Sequence, residues 1–211
     1  QRVKTIRLTG QRGMITDADS VVLAMSEPMY NITFYRTNRE RDFGAFSRAI
    51  KETLDTVESY GGELAIRPVF AKDPETGEWA FSFGTGVTQR TLEIRERQWR
   101  DNHQLSAERF PTAQSCYDYL LTHFQVADLG YDEETNLKVI TVHSEMIMNI
   151  YLSVPIVIAK DVPFNAVSEV VGRSMVLPGM DIEVGEKRVY PRNTLASHVI
   201  GYVGPISDRD N

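Results

Sequence analysis

The sequence predicts an α+β fold in which strands at both ends of the chain flank a largely helical middle. Near both termini apolar and polar residues alternate, which is the period of a half-buried strand. Between residues 42 and 152 apolar residues instead recur at three and four positions, as on one face of a helix. This segregation disfavours alternating βαβ units. We therefore expect residues 1–36 and 154–211 to form one β-rich subdomain, into which residues 42–152 are inserted as a mixed, largely helical head subdomain.

The first 36 residues predict extended segments at 3–8, 21–25 and 29–35. In the third segment, apolar side chains alternate with polar ones, which is typical of a strand with one buried face. Residues 17–20, of sequence Asp-Ala-Asp-Ser, lie between apolar flanks and predict a turn.

The middle of the chain begins with an amphipathic helix, which two consecutive glycines at 61 and 62 bring to an end. A hairpin is expected next, because alternating residues flank a turn at 73–77. The residues that define the helix are Phe43, Phe46, Ile50, Leu54 and Val57, and those that define the hairpin are Leu64, Ile66, Phe70, Trp79, Phe81 and Phe83. Three further helices are predicted, at 88–102, 112–124 and 134–151.

The final part of the chain predicts a return to β structure. An apolar run at 154–160 is strand-sized. A short helix is expected to follow, opened by Pro163 in its first turn, where the missing N–H costs nothing. Residues 177–179 predict a turn, and residues 181–190 a last strand.

The composition indicates a globular chain and disfavours nucleic acid as a partner. Of 211 residues 42% are apolar and 25% charged, which suffices for a sizeable core. The net charge of −6 argues against binding to phosphates, which needs clustered Lys and Arg. No apolar run approaches the 18 residues of a membrane-spanning helix, so the chain is expected to be soluble as given. Because it starts inside a strand-like pattern without methionine, we expect it to be part of a longer protein.

No reaction centre is evident in the sequence, so we expect no catalysis, metal or cofactor for this chain. Cys116 is the single cysteine and lies on the apolar side of a predicted helix, where buried packing is the favoured interpretation. His198 is open to two interpretations, a packing residue or a base, and its apolar surroundings favour packing. Nucleotide-binding glycine loops are missing, and the four histidines lack zinc-ligand spacing.

Two separated strings of residues resemble one known family. The first is Arg12-Gly-Met-Ile-Thr-Asp17 with Val21-Val-Leu-Ala24, and the second is Leu177-Pro-Gly179, Arg188-Val-Tyr-Pro191 and Ala196-Ser-His-Val-Ile-Gly-Tyr-Val-Gly204. In order and spacing they resemble the N-terminal pedestal, or dimerisation, domain of class B penicillin-binding proteins, most of all the elongation type. The structural motif residues that carry the resemblance are Arg12, Gly13, Asp17, Leu23, Ala24, Pro178, Gly179, Arg188, Tyr190, Pro191, His198, Gly201, Tyr202 and Gly204.

One turn departs from the family pattern. The family has Arg-Asn-Gly where this chain has Ala18-Asp19-Ser20. A glycine would adopt a positive φ freely, whereas Ser20 would be strained there. Because Asp19 tolerates the left-handed region better, we expect the turn to be redistributed onto it.

The resemblance implies a non-catalytic pedestal of a penicillin-sensitive D,D-transpeptidase in bacterial cell-wall synthesis. The parent would be anchored by one membrane helix and would lie at the outer face of the cell membrane. The implied partners are its own transpeptidase domain, a SEDS-family glycosyltransferase and a rod-complex scaffold protein, with a second copy of the chain as an open alternative. The transpeptidase motifs Ser-x-x-Lys and Lys-Thr/Ser-Gly do not occur in this sequence.

Other roles stay open on the residues alone. A free-standing extracytoplasmic ligand-binding protein, or a sensor or adaptor domain, could reuse the same fold. For the pedestal we expect partner contacts within 42–152 and a hinge to the catalytic domain at 188–206. Five aromatic residues form either an exposed docking patch or, as the favoured interpretation, part of the core: Tyr30, Phe34, Trp79, Phe81 and Phe83.

Overall fold

A computed structural model describes residues 12–36, 42–150 and 154–192. Its helices and antiparallel strand pairs confirm the predicted α+β class. The strands are β1 (Ile15–Thr16), β2 (Val22–Phe34), β3 (Glu63–Leu64), β4 (Phe70–Lys72), β5 (Trp79–Phe81), β6 (Ile156–Lys160) and β7 (Met180–Val189). The helices are α1 (Phe43–Ser59), α2 (Gln89–His103), α3 (Ala113–His123), α4 (Glu133–Asn149) and α5 (Phe164–Gly172), with a 3₁₀ turn at Ala127–Leu129.

The main sheet runs in the order β1-β2-β6-β3, and β7 also pairs with β2. The pairs β1–β2, β2–β6 and β3–β6 are antiparallel, and Thr33 lies opposite Val157 in the second. The separate sheet β4–β5 is the predicted hairpin, with Phe70 opposite Phe81. The hairpin is shorter than expected because Leu64 belongs to β3, where it lies opposite Ala159 of β6.

Strand β2 is a single element of 13 residues, where the sequence predicts two separate strands. Proline has a backbone φ that suits extended structure and lacks only the N–H donor. The strand therefore continues through the exposed Pro28.

Helix α1 begins at the N-cap Asp42, whose side chain accepts a hydrogen bond from the backbone N–H of Ala45 at 2.9 Å. Its apolar stripe is buried against α4, α5 and β3. Two of the five aromatic residues considered as a docking patch belong to the core: Phe34 is fully buried and Trp79 is 9% exposed. Tyr30, Phe81 and Phe83 are half-buried and pack against the core, so the five aromatics do not form an exposed patch.

The described chain divides into two compact units. One contains the described residues up to Met29 and from Val184 onward, and the other contains Tyr30–Glu183. Strands β2 and β7 each contribute residues to both. The predicted subdomains, 1–36 with 154–211 and the inserted 42–152, stay a prediction.

None of the helices in the described ranges combines the length and apolarity that crossing a bilayer requires.

Candidate functional site

The first motif string forms the β1–β2 turn, which the carboxylate of Asp17 organises. Its Oδ1 accepts hydrogen bonds from the backbone N–H groups of Asp19 and Val21, both at 2.9 Å. The backbone N–H of Asp17 also donates to the carbonyl of Val21 at 3.0 Å. A side chain that bonds its own backbone in this way stabilises a turn.

The left-handed position of this turn is Ser20, at φ 65°. The expectation that Asp19 would take the left-handed conformation is therefore wrong. The bonds from the Asp17 carboxylate to residues 19 and 21 fix the backbone on both sides of Ser20, so the strain falls on the serine.

The side chain of Arg188 joins the two motif strings. Its Nη1 donates to the carbonyl oxygen of Gly13 at 2.7 Å and lies 3.4 Å from Ser26 Oγ. Ser26 Oγ in turn donates to the carbonyl of Arg12 at 3.3 Å. A guanidinium bonded to a main-chain carbonyl 175 positions away orders both segments at once. Ala24, opposite Ile15 in the β1–β2 ladder, is fully buried, and Leu23 is half-buried.

Gly179 lies where no side chain fits. Its φ is 82°, and a Cβ would lie 2.7 Å from both Phe34 Cε2 and the carbonyl oxygen of Tyr35. The carbonyl of Gly179 accepts from the Tyr35 N–H at 2.8 Å, which draws the two backbones together. The neighbouring Leu177 is 1% exposed, and Pro178 is half-buried. The Leu-Pro-Gly string thus places the start of β7 against the end of β2.

Of the remaining motif residues, two lie within the described ranges and four do not. Tyr190 is 38% exposed and Pro191 is exposed. His198, Gly201, Tyr202 and Gly204 lie outside the described residues, as does most of the expected hinge at 188–206.

The sequence analysis missed two buried Ser–His pairs that lie among the helices. Ser144 Oγ lies 2.7 Å from His103 Nε2 and accepts from Trp99 Nε1 at 3.1 Å. His103 Nδ1 lies 2.7 Å from the Trp99 carbonyl, which can only accept, so the proton is on Nδ1 and the serine donates to Nε2. Burial lowers the pKa of His103 to about 4.

The second pair is Ser47 and His143, with Ser47 Oγ 2.9 Å from His143 Nε2. Ser47 Oγ also donates to the Phe124 carbonyl at 2.9 Å, so His143 Nε2 donates to the serine. Burial, with a smaller contribution from Arg36, lowers the pKa of His143 to about 3. Ser47 and His143 are both fully buried. A nucleophile needs access to substrate, and these shielded, saturated serines serve packing instead.

Cys116 is fully buried on α3, and Arg100 Nη1 lies 3.3 Å from its Sγ. Burial raises the pKa of the thiol more than the guanidinium lowers it. The thiol therefore stays protonated and is a poor nucleophile. Among the described residues, no group of three or more acidic, histidine or cysteine side chains is placed to hold a metal ion.

Four exposed apolar residues lie on α5 or shortly after it, and the sequence analysis did not anticipate them. Phe164, Val171, Met175 and Val176 are 53% to 98% exposed. Within the segment 42–152 the large apolar residues with comparable exposure are Tyr60, Ile94 and Met148, at 42% to 49%. The sequence does contain a signal for the exposed residues of α5. Phe164 and Val171 lie off the stripe that the helix buries, which consists of Ala166, Val167 and Val170.

Comparisons with known proteins give one family match and several similar solved structures. The sequence matches the family described as penicillin-binding protein dimerisation domain over residues 7–211. Among solved structures it is similar to penicillin-binding protein 2B of Streptococcus pneumoniae strain 5204, with 18% identity and a TM-score of 0.40 over 89% of this chain and 27% of that chain. The same protein from strain R6 gives 20% identity and a TM-score of 0.38 over 90% and 26% of the two chains.

A third similar structure is a complex between penicillin-binding protein 2 and MreC from Helicobacter pylori, with 18% identity and a TM-score of 0.35. The match covers 96% of this chain and 23% of that one. The chain thus spans about a quarter of the length of the solved structures it matches. No curated protein sequence matches the chain.

Proposed function

The chain belongs to the penicillin-binding protein dimerisation domain family, and we propose that it is the non-catalytic pedestal of a peptidoglycan D,D-transpeptidase. In bacterial cell-wall synthesis it would position the catalytic domain and dock partner proteins. The observation that carries this proposal is the family match, which extends over residues 7–211. The proposal places the pedestal at the outer face of the cell membrane, in a parent protein with one membrane anchor.

The catalytic serine belongs to another domain of that parent. No serine in the 211 residues is followed three positions later by lysine, which transpeptidases of this class require. The two described Ser–His pairs are buried and hydrogen-bonded, so they offer no replacement.

Positioning requires a rigid link between the pedestal and the segment that leads to the catalytic domain. We propose that residues 188–206 form this link. Support comes from Arg188, whose guanidinium bonds the Gly13 carbonyl and lies near Ser26. The start of the link is thereby held to the β1–β2 turn region, which limits its freedom to pivot.

The test uses the parent protein with Arg188→Ala. We expect the catalytic domain to be acylated by labelled penicillin as in the wild type, while glycan-strand cross-linking falls several-fold, because only the positioning of the catalytic domain is lost. Lys160→Ala, at an exposed basic residue outside the link, is the matched control and should change neither. Unchanged cross-linking in Arg188→Ala would refute the positioning role. The 211-residue chain alone should not be labelled, and stoichiometric labelling of it would overturn the non-catalytic assignment.

We further propose that a SEDS-family glycosyltransferase or a rod-complex scaffold protein docks within residues 42–152. Support comes from the resemblance of the sequence to elongation-type pedestals and from the exposure of Ile94 and Met148 in this segment. Ile94→Glu and Met148→Glu should each weaken the complex at least about tenfold, because a charge replaces buried apolar contact. Met175→Glu is the matched control outside the segment. If the control alone weakens binding in a pull-down titration, the docking site is not in 42–152.

A further inference from the structure

Strand β4 has an outer edge that faces away from its partner β5. At the end of the hairpin the backbone N–H of Asp73 donates to the carbonyl of Glu78 at 2.8 Å, so these two residues form a hydrogen-bonded pair. Inward and outward backbone groups alternate along an antiparallel strand. The N–H and C=O groups of Phe70 and Lys72 therefore point away from β5. The part of the chain that the structure describes adds no third strand to this sheet.

The opposite edge of the hairpin, along β5, is covered by α3. The N–H of Trp79 points away from β4 and donates to Oε1 of Gln114 on α3 at 3.3 Å. No side chain in the described ranges makes the equivalent bond to the backbone of Phe70 or Lys72. The edge along β4 is therefore the one that can accept a further strand.

A groove of about 510 Å³ runs along the edge of β4, and the first two turns of α4 form its other wall. Near the two ends of the strand the chain is tied to α4, by the bond from the Arg67 N–H to Glu145 Oε1 at 3.2 Å and by the ion pair of Lys72 with Glu133. A helix beside the edge leaves room for one extended chain and obstructs a second folded sheet. The strand side of the groove is lined by Pro68, Phe70, Ala71 and Lys72, and the helix side by Glu133, Glu134 and Leu137.

The charges beside the groove favour a basic segment. The carboxylates of Glu58, Glu133 and Glu134 share the two ammonium groups of Lys72 and Lys138, which leaves a surplus of negative charge. Lys72 and Glu133 are both about half exposed, so their ion pair is weak and can exchange for another one. A basic side chain on the incoming segment is attracted to this wall, and an acidic one is repelled.

We propose that the edge of β4 is a docking site for an extended segment of a partner protein in which basic and apolar side chains alternate. The segment adds a third strand to the hairpin. Its backbone bonds the outward groups of Phe70 and Lys72, which provides affinity, and its alternate side chains provide specificity. The exposed Pro68 and the half-buried Leu137 contact its apolar side chains. This site is separate from the docking residues proposed above, and it exists whether or not the chain is a pedestal.

The first test is a titration of the 211-residue chain with the capped peptide acetyl-Lys-Val-Lys-Val-Lys-amide, followed by calorimetry and by NMR. We expect binding at sub-millimolar concentration, with shifts of the amide signals of Phe70 and Lys72. The peptide with glutamate in place of each lysine should bind at least about tenfold more weakly, because the groove wall is acidic. The proposal is overturned if the lysine peptide does not bind at millimolar concentration, if the glutamate peptide binds equally well, or if the amide shifts lie elsewhere.

Methylation of the peptide backbone distinguishes strand addition from adhesion through side chains. Alternate N–H groups of a strand point to the same edge. One peptide carries N-methyl groups on both valines, and the other carries them on the last two lysines. One of these patterns should weaken binding at least about tenfold, because it blocks the N–H groups that face β4, and the other should not. Equal affinities of the two methylated peptides would refute strand addition.

A pair of variants tests the same bond from the side of the protein. Lys72→Pro removes the outward N–H and keeps the bonds to β5, because proline is tolerated where the N–H of a strand faces solvent. Lys72→Ala is the matched control, since it removes the same side chain and keeps the N–H. The proline variant should bind the lysine peptide at least about fivefold more weakly than the alanine variant. Equal affinities of two folded variants would contradict the site. If the proline variant does not fold, the methylated peptides decide the question on the unaltered chain.

Discussion

At the scale of single residues, Gly179 combines a backbone conformation and a close approach that no other residue satisfies. We expect Gly179→Ala to lower the free energy of unfolding by about 2–5 kcal/mol, the sum of left-handed strain and overpacking against Phe34. Gly130→Ala is the matched control, because Gly130 has φ 69° but a Cβ there meets nothing within 4 Å. It should cost only about 1–2 kcal/mol. Urea unfolding of both variants measures the difference, and equal losses would show that the contact with Phe34 is unimportant.

At the scale of elements, the β1–β2 turn is strained at Ser20, which has a φ of 65° where a glycine would be unstrained. Ser20→Gly should raise the melting temperature, since relief of about 1–2 kcal/mol of left-handed strain exceeds the added backbone entropy of about 0.5–1 kcal/mol. Ser20→Val should lower it, because a β-branched residue is the least tolerant of positive φ. Differential scanning calorimetry of the three proteins tests the order Gly, Ser, Val. A glycine variant that melts below the wild type would mean that the hydroxyl contributes more than the strain costs.

The helices were predictable to within a few residues, and the strand pairing was not. The apolar period of α1 and the caps Thr88, Thr112 and Asp132 are local signals, so the sequence contains them. Whether Leu64 pairs within the hairpin or with β6 depends on a segment some ninety residues away, which no local pattern encodes. The φ of Ser20 was missed for a related reason, because intrinsic preference pointed to Asp19 while the hydrogen bonds of Asp17 decided the outcome.

At the scale of the whole molecule, two neutral buried histidines make stability depend on pH. The pKa values of His103 and His143 are lowered from 6.5 to about 4 and about 3 by burial, so the unfolded chain binds protons that the folded chain does not. Their contribution is present in full above pH 6.5 and is lost as the pH falls towards 4 for His103 and towards 3 for His143. At pH 5 the loss is about 2 kcal/mol for each histidine. Glu145, whose pKa burial raises, acts in the opposite direction and offsets part of the loss.

Urea unfolding between pH 7 and pH 5 measures this dependence. His103→Gln should reduce its slope, because it removes one of the two buried rings. A stability that is constant over this range would show that neither buried ring resists protonation. The positions of the two histidines can be read from the sequence. Their burial cannot, because both lie among helices whose packing partners are distant in the chain.

The candidate motif residues also divide into features that the sequence shows and features that only the structure shows. Arg12, Gly13, Asp17 and Arg188 were recognisable as strings, and the structure adds that one guanidinium connects the two strings. The two buried polar atoms Tyr117 Oη and Asn136 Oδ1 were not recognisable, because in the sequence both residues are ordinary members of helical faces. Only the three-dimensional packing shows that their polar atoms lack partners.

The long strand β2 has a consequence for synthesis on the ribosome. It ends at Phe34, yet its partner β6 begins only at Ile156, and β7 follows at Met180. At about 5–20 residues per second, the nascent chain waits on the order of ten seconds before β6 emerges. During that time one edge of an apolar thirteen-residue strand is open to pairing with other chains, which is a hazard for aggregation. The yield of this chain on expression should therefore rise when chaperones are supplied. The rise should be larger than the stability of the folded chain alone would suggest.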